Sequence, residues 1–225
     1  MRRLALSALA LSLAVAGTLV AAQGGPPRSG LSANPSAFVA AEIAFARLAQ
    51  DKGQWTAFRE RAQPDAVMFA PRRVAARDWL KGRKDPPTAV RWQPHAVYVS
   101  CDGNAGATTG AWQQGAEHGY FTTVWLRDPR KGEMRWVLHH HDALDAPREA
   151  PDFIEARQAA CDARPVAAPE AGAEGGEDRA VGLSSDQTLS WTSAVRADAS
   201  RRVTIRLWNG QEMATVIDDE VAARP

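Results

Sequence analysis

The stretch Met134-Arg135-Trp136-Val137-Leu138-His139-His140-His141-Asp142 holds the densest set of groups able to move a proton or bind a cation. An unperturbed imidazole titrates near pH 6.5, so a histidine here suits general acid or base work at neutral pH, and a carboxylate two residues away could orient it. Strict alternation along a strand puts Met134, Trp136, Leu138, His140 and Asp142 on one face, and Val137, His139 and His141 on the other. His140 and Asp142 are therefore the candidate proton-transfer pair. The same pattern also fits hydrogen-bonded histidines at a pocket mouth or at a subunit surface. His139 and His141, about 7 Å apart on one face, have the His-x-His spacing of strand-borne zinc sites, but a site needs a third ligand and only His95 or His118 could supply it. No metal or other cofactor is expected.

A second carboxylate, Asp65, follows Pro64 at the entry to a short apolar run. There it could move protons from a cavity, although Asp after Pro is also ordinary turn chemistry. Eight tryptophans are the other unusual feature. Each buries a large ring, and several lining one pocket would suit a flat apolar ligand. Trp79, Trp92 and Trp136, with Phe69 and Tyr120, are the expected lining residues. The chain lacks a Gly-rich nucleotide loop, a Gly-x-Ser-x-Gly elbow, Cys-x-x-Cys and His-Glu-x-x-His. The usual parts for phosphoryl transfer, nucleophilic hydrolysis and dinucleotide redox chemistry are thus missing.

These groups need elements to hold them. Asn34-Pro35 is a helix start, and Phe38, Ala41, Phe45 and Leu48 continue as one apolar face until Gly53. A second short helix carries Trp55, Phe58 and Ala62, and Ala66-Val67-Met68-Phe69 reads as a strand stopped at Pro71. Arg77 to Lys81 reads as one more helical turn. From Val90 the period becomes two, giving strands over 90–100, 105–113, 120–127 and 134–142, the first near an edge because of Pro94. Residues 152–163 are expected to form a helix carrying Cys161. Residues 164–185, rich in Ala, Pro, Gly and Glu, read as a linker. Residues 186–225 then form a small three-stranded meander, with Asn209-Gly210 as a hairpin turn.

The order of these elements, with Phe38-x6-Phe45, Gly53-x-Trp55-x2-Phe58, Pro64-Asp65-Ala66-Val67-Met68-Phe69-x-Pro71 and the closing hairpin Gly119 to Trp125 and Arg135 to Asp142, resembles the nuclear-transport-factor-2-like superfamily. Within it, the SnoaL-like and ketosteroid-isomerase-like branches are nearest. The resemblance implies an α+β fold over residues 34–163, a cone in which a curved antiparallel sheet packs on N-terminal helices around an apolar pocket. It also implies a histidine on the cavity side of the last strand, which favours His140, and pairing of two cones through the sheet as a homodimer. Such cones host dehydratases, isomerases, ligand carriers and scaffolds, so fold does not give function. A carrier of a small apolar molecule comes first, a cofactor-free lyase or isomerase second, a dimeric envelope interaction module third.

Compartment follows from the ends. Met1-Arg2-Arg3, the uncharged run Leu4 to Ala22 and its small-residue exit read as a signal peptide over residues 1–22, followed by a flexible leader over 23–33. The run approaches the about 20 residues that cross a bilayer, but its small exit favours cleavage and no stable membrane anchor. The mature chain is expected to be periplasmic or secreted, where Cys101 and Cys161 are most simply a disulfide. With 27 basic and 26 acidic residues, no strong field invites nucleic acid.

Overall fold

The computed structural model describes residues 33–162, 165 and 177–223, so the expected signal peptide and most of the expected leader and linker lie outside the described residues. Helix α1 (Pro35–Lys52) starts as its sequence dictates. The Asn34 side chain accepts the Ser36 N–H at 3.1 Å, and Pro35 occupies the first turn, where no N–H is needed. Its buried stripe is Phe38, Glu42, Phe45 and Ala49, and so includes an acid. Gly53, at φ 101°, turns the chain directly into α2 (Gln54–Arg61). A Cβ at Gly53 would stand 2.4 Å from the Asp85 carboxyl carbon, and that carboxylate accepts the Thr56 N–H and hydroxyl at 2.9 and 2.6 Å. The close approach needs glycine.

Strands β1 (Ala62–Phe69) and β2 (Arg73–Ala75) lead into the short α3 (Ala76–Leu80). β3 (Arg91–Val99), β4 (Ala105–Gln114), β5 (Glu117–Arg127) and β6 (Met134–Ala143) follow as hairpins, and β7 (Glu155–Gln158) completes a seven-stranded sheet in the order β2-β1-β6-β5-β4-β3-β7. Most pairs are antiparallel, but β1 lies parallel to β6 and β7 parallel to β3. Irregularities in β1, β3 and β6 help to curve this unclosed sheet around the helices. The inner core joins Phe38, Phe45 and Phe58 of the helices to Val97, Val99, Trp125 and Trp136 of the sheet. Full burial of Phe38 and Phe45 stabilises the fold by about 1.5–3 kcal/mol each.

Two expectations change here. Of the expected helix over 152–163, the described residues 152–162 are not helical: residues 155–158 add a strand to the open edge of β3, whose Val99 carbonyl also takes the Ala159 N–H at 2.9 Å. The unmet backbone groups of an edge strand outweigh a weak local helix preference. The disulfide joins Cys101, just after β3, to Cys161 beyond β7, with Cα atoms 5.3 Å apart.

Part of the anticipated linker is also ordered. Residues 178–183 form β8, which joins β9 (Leu189–Val195), β10 (Arg201–Trp208) and β11 (Met213–Val221) in a four-stranded antiparallel sheet, not a three-stranded meander. Composition hid β8 because its Gly182 is there for close packing. A Cβ at Gly182 would lie 2.1 Å from the Trp191 ring. This second sheet covers the outer face of the first, with Leu189, Val203, Ile205 and Ile217 packed among Phe69, Tyr98, Val124 and Leu138.

Candidate functional site

A β-bulge decides which histidine faces which way. Trp136 of β6 opposes Trp125, but Leu138 opposes Val124, so Val137 is an extra residue without a cross-strand partner. Alternation inverts beyond it. Trp136 packs with the helix-facing core while Leu138 packs with the outer one. His139 therefore shares the inner face with Trp136, its ring edge-on to Phe58 at 4.8 Å and to Phe45 at 6.5 Å. His140 is turned to the outer face, against the expected cavity placement. A one-residue slip moves every following side chain to the other face.

His140 is completely buried between the sheets. The Arg201 Nε–H donates to its Nε2 at 3.1 Å, and Asp219 Oδ2 lies 3.5 Å from its Nδ1, longer than a tight hydrogen bond. Because an arginine N–H can only donate, Nε2 is the unprotonated nitrogen. Burial pushes the His140 pKa down, against the opposing pull of Asp219. Thr122 donates to the same Asp219 carboxylate at 2.6 Å, and Arg201 donates to the His141 carbonyl at 2.9 Å. The group pins the second sheet to the first.

On the inner side, an open cavity of about 860 Å³ runs from the helices to the rim. Its aromatic wall is Trp55, Phe58, Trp92, Trp112 and Phe121, joined by Phe69, which also packs in the outer core. Polar groups are few: His139 inside, and Gln54, Gln114, Glu117, His141, Asp142 and Arg201 around it. The second sheet contributes Ala199, Arg201 and Ala222 to this lining, so the C-terminal strands both cover the outer face and build part of the mouth. Among the described residues no cluster of three or more His, Cys, Asp or Glu side chains could hold a metal ion.

The sequence-chosen residues scatter relative to this cavity. Trp92, Phe69 and Asp142 line it. Trp136 is wholly buried in the inner core. Trp79 stacks edge-on against Trp55 at 5.1 Å under the Arg83 guanidinium. Tyr120 lies on the outer face near His140 and Arg148, its pKa raised by burial and by Asp219 and Asp142. Asp65 is exposed on β1, within the irregular register between Ala62 and Val67. Asp142 sits 3.7 Å from Arg201. What sequence reasoning missed is His139, and behind it Glu42.

Glu42 is a fully buried carboxyl on α1. Trp92 Nε1 donates to Oε1 at 2.6 Å, and the Thr108 hydroxyl and Trp125 Nε1 donate to Oε2 at 2.5 and 3.0 Å. Burial pushes its pKa up, while Thr108, Trp92, Trp125 and Thr123 pull the other way by hydrogen bonding. Its signal was present in the sequence: Glu42 stands four residues after Phe38 and three before Phe45, on the apolar stripe where an acid has no business unless partnered.

No protein-family model and no curated protein matches this chain. Solved structures of cone-fold proteins do. An NTF-2 like protein of unknown function from Silicibacter pomeroyi is similar over 49% of this chain and 99% of its own, at 16% identity and a TM-score of 0.37. A second NTF-2 like protein, from Burkholderia xenovorans, matches over 52% and 89%, at 17% identity and TM-score 0.34. An LEH-like epoxide hydrolase of M. tuberculosis matches over 48% and 84%, at 19% identity and TM-score 0.29. What this cavity does must be argued from its own residues.

Proposed function

We propose that this chain is an exported protein whose cone binds a small, flat, largely apolar molecule. One observation carries the reading: an open cavity of about 860 Å³ with five aromatic side chains on its wall and a buried imidazole inside. Its size falls in the range of small-molecule sites, and its mix of an apolar wall with few polar groups is what orients such ligands. The Cys101–Cys161 disulfide supports an oxidising compartment, and no described helix is long and apolar enough to cross a membrane.

Isothermal titration calorimetry with 2-naphthol tests the reading. Saturable one-site binding is expected, weakened by Trp55→Ala, which removes a wall, and abolished by Phe121→Trp, which fills the interior. Binding that ignores both substitutions, in variants whose thermal melts match the parent, would place the probe elsewhere and end the proposal.

A further inference from the structure

A second group of polar side chains meets on the outer face of the seven-stranded sheet. Arg91 opposes Gln113 in the β3–β4 pair and Gln113 opposes His118 in the β4–β5 pair, so the three form one row across three strands. Gln93 and Ala111 make the next pair along. Alternation fixes their face. Trp92, Trp112 and Glu117 line the cone cavity, which turns their neighbours Arg91, Gln93, Gln113 and His118 the other way. Arg148, from the chain after β6, reaches over the same region. Its Nη1 donates to Thr109 Oγ1 at 3.2 Å, and its guanidinium carbon lies 5.1 Å from the centre of the Tyr120 ring. Together these residues line a separate hollow of about 310 Å³, to which the C-terminal sheet contributes nothing. We propose that this hollow binds a phosphate group, either the free ion or a monoester of a small organic molecule.

The lining dictates the chemistry. An arginine is charged at any ordinary pH and can only donate. Arg91 and Arg148 line one hollow that has no carboxylate in its walls, and neither is ion-paired to a described residue. Two like charges gathered without an acid repel each other and favour an anion between them. One guanidinium fork is enough for a planar carboxylate. Two forks, with amides beside them, match the three free oxygens of a phosphate. Gln113 gives one amide hydrogen to the Gly115 carbonyl at 3.2 Å and keeps its second. His118 adds a further polar atom: its Nδ1 lies 3.2 Å from the Ala116 carbonyl, while its Nε2, shielded from water, meets no partner among the described residues. A shielded polar atom left unmet is a place where a bound group completes the hydrogen bonding. The volume exceeds what a phosphate alone fills, and Ala111 and Pro147 give the remainder an apolar side suited to the organic part of an ester. This site stands whether or not the cone holds a ligand.

Isothermal titration calorimetry of the full chain with phenyl phosphate at low ionic strength tests the site. Saturable one-site binding is expected. Arg91→Gln and Arg148→Gln should each weaken it about tenfold or more, the effect of losing a hydrogen bond between charged groups, and the double variant should abolish it. Arg130→Gln, at an exposed arginine between β5 and β6, should leave it unchanged, as should Phe121→Trp, which fills the cone. Benzoate should bind at least about tenfold more weakly than phenyl phosphate. Inorganic phosphate that binds as well as phenyl phosphate marks the free ion as the ligand, and weaker inorganic phosphate marks the ester. Absent binding, benzoate equal to phenyl phosphate, or an Arg130→Gln loss as large as those at Arg91 and Arg148 overturns the proposal. So does a loss in Phe121→Trp, which would put the probe in the cone. If Arg148→Gln does not fold, Arg91→Gln, at an exposed position, still decides.

Discussion

Acid should weaken this fold through its buried histidines, and the size of the effect can be worked out. His139 and His140 are 5% and 0% exposed. Burial holds both pKa values below the ordinary 6.5, and for His139 well below, with the charges of His141 and His140 adding to the effect there. The unfolded chain then binds protons that the folded one refuses, so stability is full above about pH 6.5 and is lost as pH falls from there toward the folded values. A histidine that stays neutral throughout, as the strongly shifted His139 is expected to, loses about 1 kcal/mol between pH 7 and 5.5, and His140 adds to this in the same direction. His140 is met by Arg201, Asp219, Asp142, Tyr120 and Phe69, and protonating it would set a new N–H against the Arg201 donor. Glu42 works in the opposite direction, because a raised folded pKa favours proton uptake by the native state. The clean quantity is therefore a difference between proteins. Urea unfolding of the wild type, His139→Gln and His140→Gln at pH 7 and 5.5 should show His139→Gln losing about 1 kcal/mol less on acidification than the parent, and His140→Gln also losing less than the parent. Variants that lose as much as the parent would refute the claim that these rings are held neutral.

Removing the disulfide with Cys101→Ser and Cys161→Ser should lower stability by about 4 kcal/mol, the loop-closure entropy for a separation of 60 residues, read by urea unfolding. Gly182→Ala should cost about 1–3 kcal/mol by driving a methyl into Trp191, and hydrogen exchange should show the loss concentrated in β8 and β9. Arg201→Ala should destabilise by about 3 kcal/mol or more, since it strips a buried cation from Asp142 and the donor from His140, while Arg202→Ala at the more exposed pair with Asp218 should cost under about 1 kcal/mol. Sedimentation velocity should find a chain that does not pair through the outer face of its seven-stranded sheet, because its own C-terminal strands cover that face. A dimer whose crosslinks map to Val124 and Leu138 would contradict this.

Much of this architecture could be read in advance where local chemistry and tertiary packing agree. Asn34-Pro35 caps a helix in any context, and Asp102-Gly103-Asn104 turns between β3 and β4 as its residues demand. The failures share a cause. The segment 155–158 becomes a strand because a distant edge offers it hydrogen bonds, and β8 forms because Trp191 needs a glycine beneath it. Neither partner is near in sequence. For the histidines the reading failed at one residue: the extra Val137 in β6 moved His139 inward and His140 outward, and no period-two reading can contain a bulge. Trp92 was legible as a wall because it is apolar and begins a strand, whereas Glu42 was overlooked because the helix was counted by its apolar residues alone.

The most direct trial of the whole account is a crystal structure of the wild-type protein with 2-naphthol. The account predicts the ring system inside the cone against Trp55, Trp92 and Phe121. A probe bound outside the cone, touching none of these rings, would contradict it.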